Sequence, residues 1–194
     1  MKSIYFYVIL CTLLATSACT SSAAPAHDPA VVNDFEIPHA KIEYYDISGS
    51  TASELRQSLD TLSPVDKNGY RSDARTDWYI RWYWIGFGLK WCALRSAVTA
   101  TQIVVTLPRW DAPPDASDKL VTKWNAYMLA LVEHEKGHVD LAVARFPDVA
   151  QAIQEAACDT ADARAEAVLS ELRDADLRYD HETHHGATQG AVFP

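Results

Sequence analysis

The feature that most constrains this chain is the H-E-x-x-H pattern formed by His134, Glu135 and His138. Large apolar residues recur every three or four positions across residues 120–131, just before it, which is typical of one buried helix face. On such a helix the two histidines lie one turn apart, where both imidazoles can bind one metal ion. Buried histidines and a buried glutamate are costly unless they are paired or ligated. The sequence therefore predicts a helix that carries a zinc site, with Glu135 beside the metal.

The N-terminus is typical of an exported protein. Lys2 precedes an apolar run and then small residues, which predicts a signal peptide over residues 1–18. The tripeptide before Cys19 resembles a lipoprotein signal box, in which Cys19 becomes the lipidated first residue, while ordinary cleavage after Ala26 is the alternative. We expect a periplasmic protein or an outer-membrane lipoprotein that Cys19 would anchor to the membrane.

Composition limits what the exported part can be. Residues 19–38 are rich in Ala, Ser, Pro and Asp and predict a flexible tether, which leaves residues 39–194 as one domain. The formal net charge of −9 argues against nucleic acid as a partner.

Of the four cysteines, Cys11 and Cys19 belong to the N-terminal signal region, which leaves Cys92 and Cys158 in the domain. In an oxidising compartment we expect these two to form a disulfide, with two buried free thiols as the alternative.

The first half of the domain predicts a small sheet. A capping box, Thr51 with Glu54, predicts a helix after the first strand, and Pro108 together with the D-A-P-P run at 111–114 is expected to end the sheet. Alternating or β-branched stretches predict strands at 41–47, 76–85, 89–94 and 99–107.

The second half predicts helices. The motif helix is expected to run from about residue 117 to 145, where Phe146 and Pro147 break it, and a second long helix is expected at about 148–176. The predicted fold class is therefore α+β, a small antiparallel sheet followed by two long helices in a zincin-like arrangement.

A catalytic zinc usually takes three protein ligands, so the histidine pair needs a third group. Glu155, on the second predicted helix, is one candidate. The segment after that helix gathers three histidines, of which His181 and His185 are further candidates. Spacing alone leaves the choice among these three open.

Several short segments carry a family resemblance. They are Y-D-I-S-G at 45–49, T-D-W at 76–78, Cys92, L-P-R-W at 107–110, Trp124, H-E-K-G-H at 134–138 and the pattern Y-D-x-x-T-x-H-G at 179–186. Over about residues 40–190 the chain resembles an uncharacterised bacterial family of predicted secreted zinc-dependent proteases, a domain of unknown function. In the tail pattern the histidine falls on His185. The resemblance therefore implies His185 as the third zinc ligand, ahead of Glu155 and His181, with Asp180 or Thr183 orienting an imidazole.

The expected function is that of a zinc-dependent peptidase acting on a protein or peptide substrate. Zinc held by His134, His138 and His185 would lower the pKa of a bound water to about 7, and Glu135 would take its proton. The substrate is expected to add as a strand to a sheet edge, at residues 99–107. Two alternatives stay open: a non-catalytic cell-envelope protein with a structural or degenerate zinc site, and a carbohydrate-binding module built on exposed tryptophans.

Overall fold

The computed structural model describes residues 30–66, 69–87, 89 and 91–194. The elements in chain order are β1 (Lys41–Ile47), α1 (Ala52–Leu62), β2 (Arg75–Ile85), β3 (Ala93–Trp110), α2 (Asp118–Gln154), α3 (Ala161–Thr183) and a 3-10 turn, Ala187–Gln189. This order confirms the predicted α+β class. The predicted signal peptide at 1–18, and the predicted tether as far as residue 29, lie outside the described residues.

The sheet has three strands in the order β1-β3-β2. β3 runs antiparallel to β2 but parallel to β1, so the sheet is mixed rather than antiparallel throughout. The strands predicted at 89–94 and 99–107 are one strand, β3, and Leu89 lies before it. Ser96 lies between the two predicted strands. The Ser96 hydroxyl accepts a hydrogen bond from the N–H of Ile85 at 2.8 Å, beside the register shift between β2 and β3. This bond links the two strands at the irregularity, and β3 continues through Ser96.

β3 continues through Pro108 to Trp110, three residues beyond the predicted strand end at 107, and stops directly before the run at 111–114 that was expected to help end the sheet. β2 begins at Arg75, opposite Thr106, so β1 is the strand that pairs with β3 at Pro108. A proline is tolerated where one side of a strand is unpaired, because its missing N–H has no acceptor to satisfy. The strand then ends at Trp110, which is fully buried and whose Nε1 donates to the carbonyl of Gly49 at 3.0 Å.

α2 is a single helix of 37 residues that passes through Pro147, so the predicted break there is wrong. Its start is as predicted, because the Ser117 side chain caps it by accepting the N–H of Leu120. Pro147 lies on the exposed face, whereas Phe146 and Val149 are buried, and this packing holds the helix together on both sides of the proline.

The second long helix, α3, is therefore shifted from its predicted position of 148–176 to Ala161–Thr183. Glu155 caps the C-terminus of α2 instead of lying within a second helix. Tyr179 and Asp180 belong to α3 instead of a tail that follows it.

α2 and α3 cover one face of the sheet. Trp78 and Trp82 of β2 point to this side and donate to Asp176 and Asp162 of α3, each at 2.8 Å. The predicted Cys92–Cys158 disulfide is present, with a Cα–Cα distance of 5.9 Å. It joins the segment before β3 to the α2–α3 loop, because Cys158 precedes α3.

The N-terminal part of the described chain lies on the domain. Ile37 is buried in the core, and the N–H of Val32 donates to Asn125 of α2 at 2.9 Å. Residues 30–38, expected as the end of a tether, are thus held by contacts to the core. Within the described part of the chain, the helices lack the combination of length and apolarity that a membrane span requires.

Candidate metal centre

The candidate site lies where two pairs of side chains face each other across α2 and α3. His134 and His138 lie one turn apart on α2, and Asp176 and Asp180 have the same spacing on α3. His134 contacts Asp180, while His138 reaches back along α3 to Asp176 as well. The two helices therefore run antiparallel at the site, and each presents one face to the other.

Three metal-ligating atoms converge at the centre of this contact. Oδ1 of Asp180 lies 3.2 Å from Nε2 of His134 and 3.1 Å from Nε2 of His138. Among the described residues, the ligand atoms of these three side chains all lie within 4.8 Å of one another. Two ligands of a tetrahedral zinc, each roughly 2.0 Å from the ion, lie about 3.3 Å apart. The spacing of the three atoms thus fits a zinc ion between them.

The other nitrogen of each imidazole is already bonded. Nδ1 of His134 lies 3.0 Å from Oε1 of Gln189, and Nδ1 of His138 lies 3.1 Å from Oδ1 of Asp176. Both partners are acceptors, so a neutral ring carries its proton on Nδ1 and presents the lone pair of Nε2 to the centre. The second oxygen of Asp176 accepts from Trp78, which fixes the carboxylate in turn.

This arrangement favours a proton or a cation at its centre. Burial lowers the pKa of His138, but hydrogen bonds to Asp176 and Asp180 outweigh that effect and raise it to about 10. Burial likewise raises the pKa of Asp180, yet its bonds to His134 and His138 hold that pKa well below the usual range. A lone pair of each imidazole and a carboxylate face one another, and either a proton or a metal ion has to lie between them.

Glu135 lies beside this centre on the side of the sheet. Its side chain is buried and accepts a hydrogen bond from the hydroxyl of Thr76, the second residue of β2, at 2.6 Å. Burial raises the pKa of Glu135, opposed by the Thr76 bond and by the charge of His138. A carboxylate whose pKa is raised in this way is suited to accept and return a proton.

Two glycines let Tyr179 and the tail approach the site. A Cβ on Gly137 would lie 2.1 Å from the hydroxyl oxygen of Tyr179, so any side chain there would force Tyr179 to move. The Tyr179 ring stacks on His134, with centroids 5.2 Å apart, and its hydroxyl accepts from Nε2 of Gln189 at 3.0 Å. Gly186 has φ +80°, and a Cβ there would lie 3.0 Å from Cγ of His134.

The structure places the predicted ligands at different distances from the centre. His185 lies at its rim, with Nδ1 3.6 Å from Oδ1 of Asp180 and an exposed side chain. His181, at the end of α3, is exposed. Glu155 ends the same helix as His138, roughly 25 Å further along it at 1.5 Å per residue, and bonds to Gln151. Glu155 is therefore excluded as a partner of the histidine pair.

The sequence assigned Asp180 only an orienting role, whereas the structure brings it directly between the two imidazoles. The available signal was the spacing of Asp176 and Asp180, which repeats that of His134 and His138. The sequence did not reveal this spacing as a helical pair, because the predicted second helix ended at residue 176 and Asp180 was expected to lie beyond it.

The family comparison covers Glu135, the three converging side chains and Asp176, but not Gln189. A family model described as "Bacterial protein of unknown function (DUF922)" matches residues 42–186, from β1 to the glycine that contacts His134. No curated protein and no solved structure shows significant similarity to the chain. The match extends over more than half of the sequence, and the chain therefore belongs to this bacterial family of unknown function.

Proposed function

We propose that the protein is an exported zinc-dependent peptidase in which His134, His138 and Asp180 hold the metal. The observation that carries this proposal is the convergence of two imidazole nitrogens and one carboxylate oxygen, with Nδ1 of each ring bonded elsewhere. His185, at the rim, is close enough to Asp180 to join the set. Export through the signal peptide at 1–18 and lipidation of Cys19 belong to the same proposal.

Each side chain has a separate role in the proposed reaction. When bound, zinc supplies Lewis acidity that activates a water molecule and polarises the scissile carbonyl. Glu135 takes the proton of the attacking water and returns it to the leaving amine. Thr76 donates to Oε2 of Glu135 and thereby holds the carboxylate in place. Asp176 and Gln189 fix the two imidazoles.

The proposed substrate is an extended peptide that pairs with the outer edge of β2, which has no neighbouring strand among the described residues. Residues 99–107 were expected to offer that edge, but they belong to the central strand, and β2 and β1 pair with β3 on its two sides. A groove of about 900 Å³ is lined by residues of β2 and β3, by Glu43 of β1, and by Glu166 and Arg173 of α3. Thr76, near the start of β2, contacts Glu135 directly, so a peptide paired along this edge would end beside the proposed base.

The decisive test is Glu135→Gln. This variant should retain zinc, because Glu135 is not among the three converging groups, and should lose about 10²–10⁴-fold in hydrolysis of fluorescein-labelled casein. Glu133→Gln, an exposed neighbour on the same helix, is the matched control and should keep both zinc and activity. Wild-type activity in Glu135→Gln would remove Glu135 from the role of base.

A second candidate function is a non-catalytic envelope protein with a structural zinc. Its support is that His134 and Glu135 are each only 4% exposed and that His185 is placed to close a four-ligand shell. X-ray absorption of the zinc-loaded protein distinguishes the two candidates by the number of imidazole ligands, which is three in the closed shell and two in a site that keeps a solvent ligand. Loss of that closed shell in His185→Ala, without any peptidase activity in the wild type, would establish the structural role.

The carbohydrate-binding alternative loses its basis on β2. Trp78 and Trp82 donate to carboxylates of α3, and Trp84 is buried. These rings therefore do not form a flat, exposed platform for a sugar.

A further inference from the structure

The hairpin formed by β2 and β3 has an exposed apolar surface that begins near the middle of β2 and continues to the tip of the hairpin. Its members, which we call the hairpin patch, are 44–61% exposed: Tyr79, Tyr83, Ile85, Phe87, Leu89, Trp91 and Val98. A soluble protein seldom leaves so many large apolar side chains together in water unless they bind something.

Strand alternation explains why this surface faces outward. Trp78, Trp82 and Trp84 of β2 point to the helices, so Tyr79 and Tyr83 point to the opposite face. Tyr83 is paired with Val98 of β3, which extends the apolar surface across the hairpin. The strand residues of the hairpin patch therefore lie on the face of the sheet opposite the helices.

The tip of the hairpin is fixed to the domain at two points. The ring of Phe87 packs on Trp84, with centroids 4.6 Å apart, and Trp84 belongs to a buried cluster. Trp91 immediately precedes Cys92, whose disulfide ties this segment to Cys158. The exposed aromatic rings are thus presented by an anchored turn.

From Trp78 onwards the hairpin itself carries charges of one sign, whereas three carboxylates, Glu43, Asp77 and Glu166, share a groove with Tyr79 and Arg81 near the middle of β2. Every charged residue between Trp78 and Trp110 is basic, although the chain as a whole has a formal net charge of −9: Arg81, Lys90, Arg95 and Arg109. Arg81 and Arg95 are exposed, and none of the carboxylates of the described residues forms an ion pair with either. Arg145, by contrast, has two carboxylate partners.

We propose that the hairpin patch docks the protein on a lipid bilayer whose headgroups are anionic. Tyrosine and tryptophan are the side chains that favour the bilayer interface, where an apolar ring and a polar edge are both satisfied. Exposed arginines without partners add attraction to anionic lipid, about 5-fold in affinity for each cation. The acidic remainder of the surface is repelled, so the protein binds with the hairpin towards the membrane.

The first measurement is co-sedimentation of the full chain with vesicles of phosphatidylcholine containing phosphatidylglycerol. Phe87→Ser combined with Trp91→Ser should weaken binding by at least tenfold, because two exposed rings no longer enter the interface. Arg81→Gln with Arg95→Gln should weaken it by roughly 25-fold and remove the preference for the anionic lipid. Leu129→Ser, equally exposed but on α2, is the matched control and should bind as the wild type does.

A second measurement isolates the hairpin from the N-terminal residues. Residues 1–29 contain no tryptophan, and Trp91 is the one tryptophan of the chain among the exposed large apolar side chains. Lipids brominated in the acyl chain should therefore quench part of the tryptophan fluorescence, and Trp91→Phe should abolish that quenching while leaving vesicle binding intact.

Three results would overturn the proposal. One is vesicle binding that the Phe87→Ser/Trp91→Ser variant leaves unchanged. Another is self-association of the vesicle-free protein that this variant abolishes, since a second copy would then cover the patch. The third is an absence of vesicle binding, whether or not the protein binds isolated cell-wall glycan through the same side chains. Zinc chelation should change none of these results, so they are independent of the peptidase proposal.

Discussion

Two polar clusters lie within this domain, and they differ in how their groups are paired. In the first, Arg56 and the hydroxyl of Tyr127 both donate to the carboxylate of Asp73, and Tyr45 donates to the carbonyl of the same residue. In the metal centre, two imidazole nitrogens and the carboxylate of Asp180 converge on one point. Donors and acceptors match in the Asp73 cluster, whereas the three groups of the candidate metal centre are matched only when a proton or a metal ion lies between them.

The comparison shows what separates a structural polar cluster from a site. Tyr127 lies on α2 seven residues before His134, so both clusters use the same buried face of the same helix. Burial and ionisable groups are common to both. The difference is that the ligand atoms of the metal centre remain unmatched until a proton or a metal ion arrives, while those of the Asp73 cluster are satisfied by the protein.

The largest expected effect tests the metal side of this contrast. Asp180→Ala removes one of three ligands and should weaken zinc binding by roughly 4 kcal/mol, close to a thousandfold, as measured by competition with a zinc chelator. His185→Ala, at the rim, should have a much smaller effect. If the two variants exchange these outcomes, the third ligand is His185, as the resemblance implied, and the site has to rearrange on binding the metal.

The reverse contrast is expected for Asp73. Asp73→Ala leaves the guanidinium of Arg56 and the hydroxyl of Tyr127 without their acceptor, and should lower the free energy of unfolding by about 3 kcal/mol. Zinc affinity should be unchanged. Asp60→Ala, which removes the exposed partner of the same arginine, is the control and should have little effect on thermal unfolding. A large loss of zinc affinity in Asp73→Ala would show that the two clusters are coupled along α2.

How much of this contrast the sequence predicted depends on the kind of signal. The H-E-x-x-H helix, the Thr51 capping box and the Cys92–Cys158 bond rest on local spacing or on counting, and the structure confirms them. The partners of the histidines depend on which residues of the second helix face α2. The helix break predicted at Pro147 placed that second helix at the wrong residues. Helix-breaking by proline is a local preference that buried neighbours override.

The Asp73 cluster carried no sequence signal at all. Its members come from β1, α1, the segment before β2, and α2, and nothing in their spacing relates them. Such a cluster can be found only once tertiary packing has brought the four residues together.

The two clusters should also respond to pH in different ranges. The pKa of His138 is raised from 6.5 to about 10 in the metal-free protein, so its contribution to stability is complete below pH 6.5 and is lost as pH rises towards 10. Burial and the charge of Asp73 raise the pKa of Tyr127 above its usual value near 10, so that contribution is lost only above about pH 10.

Thermal unfolding of the metal-free protein should therefore show a loss on the order of 2 kcal/mol between pH 6.5 and 9. The zinc-loaded protein should lack this loss, because the metal takes the place of the proton on His138. Tyr127→Phe should leave the loss in place. A metal-free protein with constant stability over this range would contradict the assignment of the proton to the metal centre.

The smallest expected effect concerns the glycine within the motif. Alanine at position 137 would bring a Cβ to 2.1 Å from the hydroxyl oxygen of Tyr179, so the tyrosine has to move away from His134 and Gln189. Alanine favours the helix by up to about 1 kcal/mol and the clash costs about 1–3 kcal/mol, so the net loss of stability should be near 1 kcal/mol. Zinc affinity should fall by about tenfold, because His134 loses part of its support.

The double variant Gly137→Ala/Tyr179→Ala relieves the clash but does not restore the contact between Tyr179 and His134. Its stability should therefore recover, while its zinc affinity should not. Recovery of both would mean that Tyr179 only fills space beside the metal centre and takes no part in orienting its ligand.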